Sequence, residues 1–223
     1  FLKYLYYMYY RPKIFFPKKS YSLFGEDLII DKIFKNKKKG TYVDIGCYHP
    51  IEGSNTYLLF KKGWSGINID LNKTSIDLFK IARSKDINLN LAISNKSKKI
   101  KYYYRKNINM LNTINLKFAK NNFLKGFKTS FIQSQTLNSI LKKKHFTKRI
   151  DFLNLDIEGN EINALKSLDY KKYNPKVICI EMHKTTGSKK KNQLENNSSY
   201  KFLTKKGYKY IWNKEYSYIF KRK

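Results

Sequence analysis

At 223 residues the chain has the length of one domain, with room for an extension and a full hydrophobic core. Its 19 tyrosines and 15 phenylalanines exclude a chain too polar to fold, and its two cysteines, Cys47 and Cys179, show neither CxxC spacing nor the histidine partners of a zinc site. They read as reduced core thiols of a reducing, cytoplasmic compartment. The net charge of +31 raises nucleic acid or an anionic membrane as a partner. Lysines fall in scattered runs without one patterned stripe, and the accompanying Asn, Ile, Tyr and Phe are residues of AT-rich codons. A solvated basic surface is therefore the preferred reading, and a nucleic-acid partner is not expected.

Residues 1–10, FLKYLYYMYY, are strongly aromatic, but Arg11, Pro12 and Lys13 interrupt them short of the roughly 18–20 apolar residues that span a bilayer. Without a basic leader or small-residue cleavage site, the stretch does not read as a signal peptide either. Residues 1–19 are taken as an aromatic and basic extension packed on the domain, with peripheral membrane contact as the alternative. Residues 20–223 are taken as a single domain. Near its start Leu28, Ile29, Ile33 and Phe34 make a helical stripe, entered through Gly25, Glu26 and Asp27, whose acids suit the positive end of a helix dipole.

Residues 41–70 carry the organising pattern: strand, tight polar turn, helix, second strand. The first strand stops at Gly46, where the backbone can turn without a Cβ. Pro50 biases His49 toward an extended conformation, and Gly53, Ser54, Asn55 and Thr56 supply turn and helix-capping chemistry. Tyr57, Leu58 and Phe60 follow on a short helix, and residues 66–69 form a strand that ends on Asp70. A glycine turn lets a ligand approach the backbone, and an acid closing the next strand can accept from two ribose hydroxyls.

Beyond it, residues 75–83 read as a helix and 87–93 as a third strand, followed by an added β segment over 99–105. The polar stretch to residue 128 has weak patterning. A strand over 131–137, a helix to 143 and a strong buried strand over 150–156 follow, and then a helix carrying Ile162, Leu165 and Leu168. Residues 177–181 form the next strand, with Met182 and His183 just past it. A polar loop, a helix over 200–206 and a hairpin of 208–212 with 216–220 close the chain. The alternation predicts an α/β fold: a mostly parallel sheet with helices on both faces and an antiparallel strand from the C-terminal hairpin.

On this reading Asp44, Asp70, Asp156, Glu158 and Glu181 fall at carboxyl ends of strands, where such sheets bind ligands. They are five of only 16 acids, so their clustering points to a cationic or polyhydroxylated ligand, with His49 and His183 on the same edge.

VDIGCYHPIEGSNTYLLFKKGW, INID, LAIS, QTLNSIL, IDFLNLDIEGNEINALKSLDY and VICIE, in that order, resemble the FkbM-type S-adenosylmethionine-dependent methyltransferases over residues 20–220. Asn138 stands where that family often has Asp. The resemblance implies a class I, Rossmann-like fold with a seven-stranded sheet, and methyl transfer to a hydroxyl oxygen of a sugar, polysaccharide or small metabolite. Carried onto this chain, Asp44 and Gly46 would border the methionine part of S-adenosylmethionine, Asp70 would hold its ribose, and residues 91–94 would lie along its adenine. Glu26, Asn55, Leu71 and Ala92 would complete the cofactor site, and Asp156 and Glu158 would face the methyl donor. A general base would come from His49, His183, Asp156 or Glu158, with His49 favoured and capping of the Pro50 turn as its alternative role. A divalent metal on Asp156 and Glu158 is a second route, but no convincing ligand set is legible. The weakly patterned residues 96–130 are expected to shape the acceptor pocket.

Three rival readings stand beside this one. Asp70 would equally suit NAD in an oxidoreductase, although the turn lacks the GxGxxG glycines. An RNA-binding protein or RNA methyltransferase rests on charge and tyrosines alone. A catalytically silent cofactor-binding scaffold is the third.

Overall fold

The computed structural model describes residues 2–9, 19–106, 108–144, 146, 149–183 and 193–223. The aromatic start is helix α1 (Leu2–Tyr9), and the stripe after it is α2 (Glu26–Ile33). The β-branched and aromatic run Thr41–Ile45 forms β1, buried along its whole length. The alternation continues through α3 (Tyr57–Lys61), β2 (Ser65–Asp70), α4 (Lys73–Ala82) and β3 (Ile87–Asn90). After the segment of β4 (Ala92–Ile93), β5 (Lys98–Tyr104), α5 (Leu116–Asn122) and β6 (Lys128–Gln135) come α6 (Leu137–Lys143), β7 (Phe152–Leu155), α7 (Glu161–Lys166) and β8 (Val177–Glu181). Helices α8 (Gln193–Asn196) and α9 (Ser198–Lys205) lead into the hairpin of β9 (Tyr208–Lys214) and β10 (Ser217–Arg222).

Seven strands form one sheet in the order β3-β2-β1-β7-β8-β10-β9. The first five are parallel, and β10 alone runs against its neighbours. Side chains alternate across this sheet. Val43, Ile45, Leu153, Leu155, Ile178 and Ile180 enter one core with α6, α7 and α9. Tyr42, Phe152, Val177 and Cys179 enter the opposite core with Ile30, Phe34, Leu59 and Trp64. Helices thus cover both faces, the α/β architecture expected from the alternation. Both cysteines are free and buried.

The strand expected over 87–93 is two strands. β3 stays in the large sheet, whereas β4 leaves it to pair with β6 in a three-stranded sheet of order β4-β6-β5. The break follows Asn90, whose Nδ2 donates to the carbonyls of Asp70 at 3.0 Å and Leu71 at 2.8 Å and ends the ladder there. α4 begins earlier than its apolar stripe because Asn72 Oδ1 caps it, accepting from the Thr74 and Ser75 N–H groups. Of the loop expected over 184–199, residues 184–192 lie outside the described residues, 193–196 form α8, and α9 starts at Ser198 rather than 200.

Helix α1 packs on α4: Tyr4 Oη donates to Asp77 Oδ2 at 2.9 Å, and Met8 is buried. Among the described residues no helix is long and apolar enough to cross a membrane.

Candidate active site

The turn after β1 is pressed against the end of β7. Gly46 has φ +78°, and a Cβ there would stand 1.6 Å from the Asp156 carbonyl oxygen. Only glycine supplies both the left-handed backbone and the missing side chain. The Gly46 N–H donates to the Ile69 carbonyl at 2.8 Å, which ties the turn to the end of β2. There Asp70 Oδ2 accepts from the Tyr48 N–H at 2.9 Å and Oδ1 from the Asn72 N–H at 2.7 Å. Burial pushes the Asp70 carboxyl up to about 6, against those two hydrogen bonds.

Gly46, Asp70, Leu71 and Ala92, all expected at the cofactor, line one open pocket. Its remaining walls include Leu91, Ile93, Ile114 and Ile157, with Asn160 as a second polar group. An apolar slot with one carboxylate at its rim suits a nucleoside. Each Asp70 oxygen keeps a lone pair beyond its backbone donor, enough for two hydroxyls.

Asp44, Asn55 and Glu26 stand elsewhere. Because side chains alternate along β1, Asp44 points to the α2/α3 face and is 1% exposed. It accepts from Thr56 Oγ1 at 2.6 Å and Asn154 Nδ2 at 2.9 Å, and Asn55 Nδ2 donates to Asn154 Oδ1 at 2.9 Å. Arg83, buried at the end of α4, reaches the same network: Nη1 donates to Thr56 Oγ1 at 2.8 Å, and Nη2 donates to Ser54 Oγ at 3.0 Å and to the Pro50 carbonyl. These residues hold the 50–56 turn from behind. Glu26 accepts from the Phe24 N–H at 2.8 Å and braces the entry to α2.

The acids after β7 and β8 meet one histidine. His183 Nε2 lies 3.0 Å from Glu158 Oε2 and 3.4 Å from Glu181 Oε2. Its ring packs between Phe118 and Tyr216, with centroids at 5.1 and 5.3 Å. The hydrogen bonds of Glu158 and Glu181 raise His183 to about 10, so the ring is an imidazolium at neutral pH. Burial pushes Glu158 up to about 7, opposed by His183. Burial, then the charges of Glu181 and Glu158, push Asp156 well above the carboxylate range. Glu181 is also pushed up by burial, but contacts with His183 and Asp156 outweigh this and hold it below its usual value. The nearest ligand atoms of Glu158, Glu181 and His183 lie within 4.8 Å of one another, a set that could hold a small cation.

Segment 113–115 clamps this cluster. Thr113 Oγ1 donates to the Glu158 carbonyl at 2.7 Å and Asn115 Nδ2 to that of Gly159 at 3.1 Å, where Glu158 itself has φ +56°. Glu161, the last acid of the DIEGNE motif, accepts from the Ile157 and Gly159 N–H groups.

His49 stands apart from the cluster. Its Nδ1 accepts from the N–H groups of Ile51 at 3.2 Å and Glu52 at 3.0 Å, and Nε2 donates to the Tyr7 carbonyl at 3.3 Å. With both ring nitrogens so engaged and the ring buried, the geometry is that of the turn cap, not of the favoured base. Glu181 was legible as an acid at a strand end but had no assigned role. Arg83 and Asn154 carried no signal, because a lone Arg closing a helix and an Asn inside an apolar strand have no characteristic spacing.

The strand order, with one reversed strand next to the edge, and the apolar pocket at the carboxyl ends of β1 and β2 are those of a Rossmann-like methyltransferase. The family model described as the methyltransferase FkbM domain matches residues 44–210. The chain therefore belongs to the FkbM methyltransferase family, and the activity that goes with it is methyl transfer from a methyl donor. A search of curated proteins finds no match.

Proposed function

We propose that the chain is an S-adenosylmethionine-dependent O-methyltransferase acting on a hydroxyl of a sugar, polysaccharide or small metabolite in the cytoplasm. The observation that carries this reading is the contact between Gly46 and Asp156, which gives the nucleoside pocket and the acid–histidine cluster a common wall. Gly46, Asp70, Leu71 and Ala92 would hold the cofactor, with Asp70 on its ribose and the apolar walls on its base. When bound, S-adenosylmethionine supplies an electrophilic methyl group on a sulfonium.

A sulfonium bound beside Asp156 and Glu158 would favour their ionised forms, against the burial that raises both. An acceptor hydroxyl must lose its proton as its oxygen reacts, and Glu158 takes it: this carboxylate is held near neutrality, where a general base works best. His183 pins Glu158 and Glu181 in place as a cation between them. Orientation of the acceptor by this clamped loop supplies much of the remaining acceleration.

The test is calorimetric titration of the purified chain with S-adenosylmethionine and with NAD, beside Asp70→Ala. Saturable binding of S-adenosylmethionine alone, weakened in the variant, is expected. Binding of NAD alone overturns the reading in favour of an oxidoreductase, and cofactor binding with no turnover across an acceptor screen in favour of a scaffold.

A further inference from the structure

Helix α1 is apolar on every side. Its residues, LKYLYYMY, carry one charge, Lys3, and a helix of that kind is normally covered all round, by protein or by lipid. The fold covers one face. Tyr4, Tyr7 and Met8, at i, i+3 and i+4, turn toward the domain: Met8 is buried, Tyr4 Oη donates to Asp77 on α4, and the Tyr7 carbonyl accepts from His49 Nε2. Leu2, Leu5, Tyr6 and Tyr9, at i, i+3, i+4 and i+7, make the opposite face and are 81%, 36%, 53% and 44% exposed. Single exposed apolar side chains are ordinary, but four on one helical stripe form a patch of the kind that marks an interaction site.

The charge around the stripe indicates what covers it. Residues 1–25 hold Lys3, Arg11, Lys13, Lys18 and Lys19 and no acid. On α4, Asp77 pairs with both Lys73 and Lys80 beside the Tyr4 hydroxyl, so that flank is net cationic as well. Ile81, next to Lys80, is half exposed. Leucine and tyrosine flanked by lysine is the composition of helices that lie in the plane of a membrane interface. There the apolar stripe enters the acyl boundary, tyrosine rings sit at headgroup level and lysines meet lipid phosphates. The helix is about 12 Å long, enough to lie on a bilayer and too short to cross one. A second copy of the chain would set +31 against +31, which disfavours self-association through this cationic face.

We propose that α1 docks the protein on an anionic lipid bilayer, with Leu2, Leu5, Tyr6 and Tyr9 inserted at the interface and Lys3, Lys73 and Lys80 on the headgroup phosphates. The bond between His49 and the Tyr7 carbonyl ties α1 to the turn after β1. Docking therefore holds that turn roughly 10 Å, one helix diameter, from the headgroups, and the candidate active site lies beside the membrane surface. This docking does not depend on the methyltransferase reading.

The test is sedimentation of the full chain with vesicles of phosphatidylcholine, alone or mixed equally with phosphatidylglycerol, beside the double variant Leu2→Gln, Leu5→Gln. Both sites are exposed and glutamine is a good helix former, so the fold is retained, as thermal unfolding would verify. A chain of charge +31 is drawn to anionic vesicles from any side, so the double variant, which keeps every charge, is the arm that decides. The expected result is binding to the mixed vesicles that falls as salt is raised, is weakened about tenfold in the variant, and is slight with phosphatidylcholine alone. Equal binding by wild type and variant overturns the proposal, because charge alone would then hold the chain. Absence of binding to the mixed vesicles also overturns it. A wild-type dimer in light scattering that becomes monomeric in the variant, with no vesicle binding by either, would assign the face to a second copy instead.

Discussion

Arg83 Nη1 donates to Thr56 Oγ1 at 2.8 Å, joining the end of α4 to the turn that precedes α3. Thr56 passes the contact to Asp44, and Asn154 closes the chain of bonds on β7. A buried guanidinium thus fixes the polar turn after β1 from behind. Arg83→Met should cost about 3–5 kcal/mol of stability, since it leaves Asp44 buried without its balancing charge. Denaturant unfolding would measure it, and a loss under about 1 kcal/mol would show that the network does not hold the turn.

Gly46→Ala should be worse than an ordinary loop substitution. Its Cβ would meet the Asp156 carbonyl at 1.6 Å while the backbone stays left-handed at φ +78°, so either the turn or the end of β7 must move. We expect a stability loss above about 2 kcal/mol and no measurable S-adenosylmethionine binding. A variant with near-normal unfolding and affinity would remove the common wall from the argument.

Asp70 must be ionised to accept from two ribose hydroxyls. Burial holds it at about 6, so S-adenosylmethionine affinity should rise between pH 5 and pH 7, by about tenfold per unit below the midpoint. Calorimetry across that range should give a sloping profile for wild type and a flat, weaker one for Asp70→Asn. A flat wild-type profile would mean that the carboxylate does not touch the cofactor.

Glu158→Gln keeps the hydrogen-bonding shape but removes the proton acceptor. Its kcat should fall by roughly 10²–10⁴ with cofactor affinity little changed. His49→Gln should leave kcat within a few-fold and act on stability through the 49–52 turn. Reversed sensitivities would return the base to His49.

At the opposite edge of the sheet, Asp151 Oδ1 pairs with Lys37 at 2.5 Å and Lys176 at 3.1 Å, and Oδ2 accepts from the Thr41 N–H. Burial pushes this carboxyl up, but the Lys37, Thr41 and Lys176 contacts outweigh it and hold it below its usual value. A depressed folded-state value stabilises above the ordinary carboxylate range, and the gain is lost as pH falls through the folded value. Melting curves of wild type and Asp151→Asn should therefore differ most near pH 6 and converge toward pH 3. A gap independent of pH would assign the effect to packing.

Much of the frame was legible in the residues themselves. The continuous β-branched and apolar runs at 41–45, 152–155 and 177–181, the glycine at 46 and the acid closing β2 are local signals, and local backbone chemistry turns each into its element. The same signals placed Gly46, Asp70, Leu71 and Ala92 at one pocket. They misjudged the third strand, because residues 87–93 keep a strand pattern through the point where Asn90 ends one ladder and β4 joins another sheet.

By itself the sequence determined the α/β alternation, the ligand-bearing edge and the scarcity of acids that made five of them conspicuous, since these follow from spacing and count. Only the tertiary structure decided which side chains meet. Strand alternation turned Asp44 away from the pocket toward Thr56 and Asn154, the 49–52 turn consumed both nitrogens of His49, and the ends of β7 and β8 brought Glu158, Glu181 and His183 within bonding distance. Asn112 shows the same division: it lies in a weakly patterned stretch, and its burial exists only once β5 and the Thr113 bridge have formed. Pairwise meeting depends on register between distant segments, and register is set by how the whole sheet packs.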